Sequence, residues 1–380
     1  MGMEEEQLFS SLEDLQVQSF LGRGTKGVVF LVKLPRSRPL ALKVISREEL
    51  MKKKNGKSKE LVLRQVLLER DFLKMFDHPL LPKFRGEIVT DVIVGLAIDY
   101  CPGGDLRTLL ERQTEKMFSH DNIRFYAAEI VLALEYLHGL NIVYRDLKPD
   151  NIMIQENGHV MIVDFDICTK LSPKPVLVPQ PVNTVTTTDR KTLRQKYFPV
   201  SRYCKPVPIQ PVFNNIIESV KMEKFKSMSM VGTEHYIAPE ILLRKGHDYS
   251  ADWWGLGIML YEMLYGKHPF SGNTPKETFD QILEKEPNLV GDQTALLDLI
   301  AKLLKKDPLE RITLEGIKSH RFFEGVDWET ILDISRPPYI PTCENILMEE
   351  TEKIDVVSFV RECYLADAME DIEIRKTAKE

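Results

Sequence analysis

One polar stretch, residues 142–151, constrains this chain more than any other. It reads Ile-Val-Tyr-Arg-Asp-Leu-Lys-Pro-Asp-Asn, and an Asp-Phe-Asp tripeptide follows, beginning at Asp164. Asp146 is suited to accept a proton from an attacking hydroxyl, and Lys148 to lie near a transferring phosphate. Asn151 and Asp164 offer the hard oxygen ligands that Mg²⁺ prefers. The set suits phosphoryl transfer from ATP.

A glycine-rich loop lies near the N-terminus, between the runs 17–21 and 28–32, which are rich in β-branched and aromatic residues. A lone Gly-x-Gly-x-x-Gly also opens dinucleotide-binding folds, but there it joins a strand to a helix. Strand-forming residues on both sides predict instead a flap over ATP phosphates, and they exclude a dinucleotide enzyme. The predicted flap residues are Leu21, Gly22, Arg23, Gly24, Thr25, Lys26, Gly27, Val28 and Val29.

A lysine and a glutamate downstream complete the candidate phosphate site. Lys43 lies inside the apolar run 40–45. Alone it would indicate an edge-strand lysine that points to solvent, but its spacing from the flap matches the Val-Ala-Ile-Lys lysine that binds phosphates. Residues 60–76 have helical periodicity. Glu69 on that helix is the candidate partner of Lys43, against the general tendency of helix glutamates to face solvent.

A hinge is expected where the predicted strands 84–90 and 93–99 lead into Tyr-Cys-Pro-Gly-Gly-Asp. The backbone of Asp99 and Cys101 would bond an adenine there, and Ile98 would guard the back of the pocket. Asp105 would reach a ribose or a substrate arginine. Residues 121–139 form an amphipathic helix capped near Ser119 or Asp121, and they contribute packing rather than chemistry.

Charge is unevenly distributed along the chain. Residues 169–228 hold eleven Lys/Arg against three Asp/Glu, a net charge of +8, while the whole chain carries −6. The same segment has eight prolines and no periodicity, which predicts a mostly disordered basic insertion. It is either a docking or address segment or a tolerated solvated loop. A bulk nucleic-acid binder would not show this pattern, whereas a basic insertion on an acidic domain would; no specific nucleic-acid partner is expected.

Order is expected to return before Ala-Pro-Glu at 238–240. Ser229 precedes Gly-Thr, where a phosphate would pair with Arg145 and order the segment. A Ser-capped, buried helix is predicted from Ser250, with Asp252 bonding the backbone of the 142–151 stretch. Arg311 is the expected buried partner of Glu240.

Composition is that of an ordinary globular protein, with 43% hydrophobic and 28% charged residues. The five cysteines are odd in number and have no metal-ligand spacing, which indicates a reduced intracellular protein. The acidic N-terminus has no apolar signal region. The longest apolar stretch, 251–265, is too short and too polar to span a bilayer. A monomer is expected in the cytoplasm and/or nucleus, with peripheral plasma-membrane contact through residues 169–228.

These ordered motifs, over roughly residues 17–340, resemble eukaryotic serine/threonine protein kinases of the AGC group. The Tyr before Arg-Asp, the Gly-Thr-Glu-His-Tyr segment and the Arg-Pro-Pro-Tyr-Ile-Pro tail are similar to that group. Asp-Phe-Asp in place of Asp-Phe-Gly, with the long insertion, resembles the plant subgroup VIII. Within it, the runs at 98–103, 125–129 and 154–159 are most similar to the oxidative-signal-inducible and Unicorn-type branch. Signalling in growth, development or oxidative stress is implied by this resemblance alone.

The resemblance implies an α+β, bilobal protein kinase fold with ATP and Mg²⁺ as cofactors. Residues 1–15 would be a lead, 16–323 the kinase domain (N-lobe 16–98, C-lobe 102–323) and 324–380 the tail. Protein substrates with basic residues near the phosphosite are expected, together with an upstream activating kinase. The carried-over roles are catalysis by Asp146 and Lys148, metal binding by Asn151 and Asp164, substrate selection by Asp105, Asp150 and Glu262, and activation through Ser229.

Two departures from the family pattern matter. Asp166 replaces a glycine, which restricts the backbone and is expected to hinder flipping of the segment. The chain also ends without the Phe-x-x-Phe motif that recruits an activating kinase, so Ser229 could be autophosphorylated. A catalytically silent pseudokinase scaffold is the alternative, but it predicts loss of Lys43, Asp146 or Asp164. A small-molecule kinase would not need the Gly-Thr-x-x-Tyr-x-Ala-Pro-Glu platform.

Overall fold

The computed structural model describes residues 8–9, 11–24, 27–47, 57–171, 234–244, 246, 248–334, 337–341 and 354–364, without the side chains of 57–65. The chain divides into two units, Met1–Lys170 with Met230–Glu380, and Leu171–Ser229. The predicted insertion and Ser229 lie almost wholly outside the described residues. All the strands and helices that the structure describes belong to the first unit.

The N-terminal region is an antiparallel sheet in the order β1-β2-β3-β5-β4. The predicted strand–loop–strand is confirmed, because β1 and β2 pair across the glycine loop, with Gly22 opposite Val29. The helix expected at 60–76 forms as α1. The bounds are β1 Gln16–Arg23, β2 Val28–Lys33, β3 Leu40–Ser46, α1 Lys57–Met75, β4 Phe84–Val89 and β5 Ile93–Asp99.

The two faces of this sheet pack against different partners, as the alternation of side chains along a strand requires. Ile45 and Leu96 pack with Phe72 of α1 in the large core. Phe30 and Leu42 face the other way, into a second cluster. A helix over residues 356–364 covers that second face and contributes Val356, Val360 and Tyr364. We label this helix α9.

The C-terminal region is mainly helical, with short two-stranded pairs β6–β9 and β7–β8 beside the helices. Helix α3 begins after Ser119, whose hydroxyl accepts from the amide of Asn122 at 3.3 Å, as predicted. The bounds are α2 Leu106–Glu111, α3 His120–Gly139, β6 Ile142–Val143, β7 Ile152–Ile154, β8 Val160–Ile162, β9 Thr169–Lys170, α4 Pro239–Leu242, α5 Ser250–Tyr265, α6 Pro275–Glu284, α7 Ala295–Leu303 and α8 Leu314–Lys318.

Helix α5 is buried on nearly every side, as its apolar sequence predicts. The prediction of a serine cap is wrong. The capping residue is Tyr249, which makes no side-chain cap bond, and the carboxylate of Asp248 accepts from the amide of Ser250 at 2.9 Å instead. The carboxylate of Asp248 thus satisfies the first amide of the helix, whereas a cap at Ser250 would have accepted from an amide two or three residues further on.

The expected fold class is confirmed: a smaller sheet-rich N-terminal region precedes a larger, mainly helical C-terminal region. The predicted Glu240–Arg311 pair is present, with guanidinium-to-carboxylate distances of 2.7 and 3.0 Å and both side chains buried. Among the helices that the structure describes, none has both the length and the apolar character needed to cross a membrane.

Candidate active site

The polar groups of the 142–151 stretch converge on Asp146. Its Oδ2 lies 3.1 Å from Lys148 Nζ and 3.0 Å from Asn151 Nδ2. The amide of Asn151 also donates to the backbone oxygen of Asp146 at 2.9 Å, which fixes the turn between them. An acceptor for a hydroxyl proton and a cation for a phosphate are thus side by side.

A buried carboxylate on α5 holds this stretch in place. Asp252 accepts from the backbone amides of Tyr144 at 2.9 Å and Arg145 at 2.7 Å, as predicted. Arg145 has φ of 68°, a left-handed conformation that costs energy for a non-glycine residue. Asp252 is 1% exposed. Its two bonds therefore help to keep the strained backbone from relaxing.

Tyr144, which stands where the family usually has His, links the two halves of the site. Its hydroxyl donates to the carbonyl of Val163 at 2.5 Å, directly before Asp164. The ring is fully buried and packs against Phe165, with ring centroids 5.6 Å apart. Sequence reasoning noted Tyr144 only as a family marker and missed this positioning role.

Lys43 faces three carboxylates. Its Nζ lies 2.8 Å from Glu69, 3.0 Å from Asp164 and 3.3 Å from Asp166. The structure thus brings together the two residues that were predicted to pair, Lys43 and Glu69. The contact with Asp166 was not predicted from the sequence. The family pattern has glycine at this position, and glycine has no side chain that could contact Lys43.

Electrostatics couple these four groups. Burial alone would lower the pKa of Lys43, but Asp164, Asp166 and Glu69 raise it well above its usual value. Burial raises the pKa of Glu69 to about 8; Lys43 opposes this rise, while Asp166 and Asp164 add to it. One ammonium therefore neutralises part of the charge of three carboxyl groups, and the pKa of Glu69 is raised mainly because the group is buried.

The Asp-Phe-Asp tripeptide is held inward. Phe165 is 2% exposed and packs on Phe76 with ring centroids 4.7 Å apart. Asp164 has φ of 61°, whereas Asp166 is not among the residues with positive φ. The Cβ of Asp166 therefore adds no left-handed strain in this arrangement.

The flap approaches β3 closely at one glycine. A Cβ on Gly27 would lie 2.6 Å from the carbonyl oxygen of Val44, so any larger residue would force the strands apart. The amide of Gly24 bonds the carbonyl of Gly27 at 2.8 Å and closes the turn. Thr25 and Lys26 lie outside the described residues. The other predicted flap residues, Leu21, Gly22, Arg23, Val28 and Val29, lie on β1 and β2.

The predicted hinge follows β5 directly. Asp99 ends β5 opposite Leu40 of β3, and its side chain bonds Arg85 at 2.7 Å. Cys101 is buried, and burial raises the pKa of its thiol to about 12, so it stays protonated. Asp105 caps α2: its two oxygens accept from the amide and hydroxyl of Thr108 at 2.7 and 2.9 Å.

The predicted substrate-selecting acids have internal partners. Asp150 Oδ2 lies 3.2 Å from a guanidinium nitrogen of Arg107. Glu262 bonds the same guanidinium and also accepts from the hydroxyl of Tyr236. Sequence reasoning missed Arg107 and Tyr236. No local signal reveals either, because their partners are more than 25 residues away in the chain.

The residues present fit ATP and a divalent cation. At Gly22 no atom lies within 4 Å of the place a Cβ would take, so this part of the flap backbone is open to close approach by phosphates. Asn151 Oδ1 and the carboxylate of Asp164 supply neutral and charged oxygens of the kind that Mg²⁺ binds. Lys43 lies beside Asp164, where it can pair with phosphate oxygens.

Comparisons with known proteins agree with this geometry. The family model described as "Protein kinase domain" matches residues 15–190 and 217–323. The chain is 49% identical over 362 residues to serine/threonine-protein kinase OXI1 of Arabidopsis thaliana, covering 93% of this chain and 85% of that protein. It is also similar to serine/threonine-protein kinases UCN (37%; 87% and 84% covered) and WAG1 (38%; 87% and 69% covered) of the same plant.

Proposed function

This chain belongs to the protein kinase family, among plant serine/threonine kinases of AGC subgroup VIII, and from this premise we propose how its residues carry out the reaction. It is a serine/threonine protein kinase. The observation that carries the proposal is the convergence of Asp146, Lys148 and Asn151, with Lys43 paired to Glu69 and Asp164.

In the proposed mechanism, the hydroxyl oxygen of a substrate Ser or Thr attacks the γ-phosphorus of ATP. A new P–O bond forms as the bond to the β–γ bridging oxygen breaks, and ADP leaves with that electron pair. Asp146 accepts the hydroxyl proton. Lys148 stabilises charge on the transferring group, and Lys43, aligned by Glu69, holds the α- and β-phosphates.

Mg²⁺, when bound, neutralises phosphate charge and orients the leaving group. Asn151 and Asp164 would hold it, because their oxygens are of the type this ion prefers. Tyr144 and Asp252 position these ligands through Val163 and the backbone of Arg145. The flap 21–29 would cover the phosphates, and the backbone of Asp99 and Cys101 would receive the adenine.

We also propose how the chain is divided into segments and how the kinase is activated. We assign 1–15 as a lead, 16–323 as the kinase domain with the basic insertion 169–228, and 324–380 as the tail. Phosphorylation of Ser229, by an activating kinase or by the chain itself, would order the segment that ends at Glu240. Signalling in growth, development or oxidative stress is supported by the resemblance to the plant kinases.

The compartment and partners are proposed from charge. The basic insertion would favour anionic membrane lipid or nuclear import, with a cytoplasmic pool and a monomeric enzyme acting on protein substrates. Replacing its Lys and Arg residues by Gln in a fluorescent fusion tests both roles. A distribution that does not change would remove both.

The test of the function is a phosphate-transfer assay on a generic protein substrate with γ-labelled ATP and Mg²⁺, followed by phosphoamino-acid analysis. Label is expected on Ser or Thr and is expected to disappear with EDTA. Label on a small metabolite alone would favour a small-molecule kinase. No label, even with Ser229→Asp, would return weight to the pseudokinase alternative, which the retained Lys43, Asp146 and Asp164 disfavour.

A further inference from the structure

One arginine fills the acidic site that was predicted to receive a basic residue of the substrate. Arg107, on α2, reaches Asp150 with Nε at 3.4 Å and Nη2 at 3.2 Å. The same guanidinium donates to both carboxylate oxygens of Glu262, through Nη1 to Oε1 and through Nη2 to Oε2 at 3.3 Å. It thus bridges two acids that lie on different elements.

The Glu262 end of this bridge is closed. Glu262 is 4% exposed, and its Oε2 also accepts from the hydroxyl of Tyr236. His268 lies 3.7 Å from Oε1, and burial keeps this imidazole neutral by lowering its pKa to about 4. Arg107 is therefore the charged partner that the structure gives Glu262, and a substrate guanidinium would have to displace it.

The Asp150 end is half open. The side chain of Asp150 is 50% exposed, whereas that of Arg107 is 23% exposed. Two carboxylates and one guanidinium leave a net charge of −1 at the site, against −2 for the two acids alone. The internal guanidinium thus occupies the carboxylate oxygens that a basic substrate residue would bind, and it cancels half of the negative charge that would attract that residue.

We infer that Arg107 is a specificity-determining residue, which occupies the Asp150–Glu262 subsite from within and makes the kinase indifferent to an arginine at the matching substrate position. The inference rests on the proposed substrate-binding role of Asp150 and Glu262. It removes the expected requirement for a basic substrate residue at the position that Asp150 and Glu262 would read.

A purely structural role for Arg107 makes a different prediction. If Arg107 only neutralises buried Glu262, its removal would lower stability and would leave the ranking of substrates unchanged. If it occupies a subsite, its removal would change the ranking, because a substrate arginine could then take its two carboxylate partners. Substrate preference distinguishes the two roles, whereas stability does not.

The experiment compares two enzymes on a series of Arg/Ala peptide pairs. A neutral Ser-acceptor peptide carries Arg or Ala at each upstream position in turn, and kcat/KM is measured for wild type and Arg107→Ala. We expect the variant to prefer Arg about tenfold at one position where wild type shows less than about threefold preference, because a charge-assisted bidentate pair has that scale. Arg112→Ala, an exposed arginine at the end of α2, is the matched control and should retain the wild-type profile.

Two results would overturn the inference. One is an Arg107→Ala profile identical to that of wild type at every position. The other is a wild-type preference for Arg that Asp150→Asn abolishes, since the subsite would then be open despite Arg107. If Arg107→Ala does not fold, Arg107→Lys retains the charge but cannot span both carboxylates, and it should show a smaller gain for Arg.

Failure of the proposed function is distinguishable from failure of this inference. A protein that phosphorylates neither the peptides nor a generic protein substrate, even as Ser229→Asp, contradicts the kinase assignment. In that case, equilibrium binding of fluorescent Arg and Ala peptides still reports the preference without catalysis. Tighter binding of the Arg peptide by Arg107→Ala than by wild type would support the subsite, and equal ratios would reject it.

Discussion

The ammonium of Lys43 lies 3.3 Å from Oδ1 of Asp166, a carboxylate that stands where the family pattern has a glycine. Asp166 is 6% exposed and shares Lys43 with Glu69 and Asp164. If Lys43 binds ATP as proposed, the phosphate oxygens compete with this third acid for the same cation. We therefore expect Asp166 to affect the affinity of this chain for the nucleotide.

Asp166→Asn is expected to lower KM for ATP about threefold or more, because it removes a negative charge beside the phosphates. Steady-state kinetics at varied ATP measure the change. Asp166→Gly is the second arm, since it removes the charge and also frees the backbone. If KM for ATP falls in Asp166→Gly but not in Asp166→Asn, the effect comes from backbone freedom. A higher KM for ATP in Asp166→Asn would contradict competition between Asp166 and the phosphates for Lys43.

Sequence reasoning predicted the strands and helices that have clear periodicity or strong local signals. The strand–loop–strand of 17–32, the strand carrying Lys43 and the cap at Ser119 all follow from nearest-neighbour chemistry. Two longer-range contacts were predicted from the positions of their residues within the family motifs, and not from local physical chemistry. They are the bond of Asp252 to the backbone of Tyr144 and the Glu240–Arg311 pair. The roles of Asp146, Lys148, Asn151 and Asp164 remain predictions that the geometry supports.

What sequence could not supply depends on distant partners. Arg107 meets Glu262 across 155 positions, and no periodic pattern encodes that approach. The sequence of α9 also gave no sign that Val356, Val360 and Tyr364 would cover the outer face of the N-terminal sheet. The wrong prediction of a serine cap for α5 shows that sequence can also fail over a few residues. Asp248 and Ser250 both have side chains that can accept a bond from a helix amide, and the sequence does not say which one does.

The buried ion pair between Glu240 and Arg311 should be costly to break from one side. Arg311→Met is expected to lower the free energy of unfolding by about 3–5 kcal/mol, because Glu240 remains buried without its cation. Chemical denaturation measures the loss. The double variant Glu240→Gln, Arg311→Met should lose less than the sum of the two single variants; additive losses would mean that the two side chains are not coupled.

Helix α9 should stabilise the flap strands from the far side of the sheet. The ring of Phe359 lies 5.4 Å from that of Phe20 on β1 and 5.5 Å from that of Phe30 on β2. Val360→Asp places a charge at a position that is 1% exposed and is expected to cost about 2–4 kcal/mol. Amide hydrogen exchange should accelerate in β1 and β2.

Glu362, exposed on the same helix, provides the control for α9. Glu362→Ala should leave both stability and exchange at wild-type values. If Val360→Asp also left exchange in β1 and β2 unchanged, α9 would not support the flap strands.

His268 should contribute to acid sensitivity. Burial lowers its pKa to about 4, with His235 and Arg107 adding to the effect and Glu262 opposing it. Between pH ~6.5 and ~4 the unfolded chain binds the proton more readily, so stability falls as pH falls through this range. Between about pH 7 and about pH 5, the free energy of unfolding of His268→Gln should therefore fall by about 1–2 kcal/mol less than that of wild type.

Thermal unfolding at several pH values measures this effect. His120→Gln, at an exposed histidine, is the matched control and should follow the wild-type curve. If His268→Gln lost stability in acid as steeply as wild type, the acid sensitivity would have to originate elsewhere.

The most direct test of the account compares Asp146→Asn with wild type in one preparation, with ATP binding and phosphate transfer measured on the same samples. Because Asn cannot accept the hydroxyl proton, transfer should fall by about 10²-fold or more while ATP affinity stays within about threefold of wild type. A variant that transferred phosphate at the wild-type rate would contradict the assignment of Asp146 as the base.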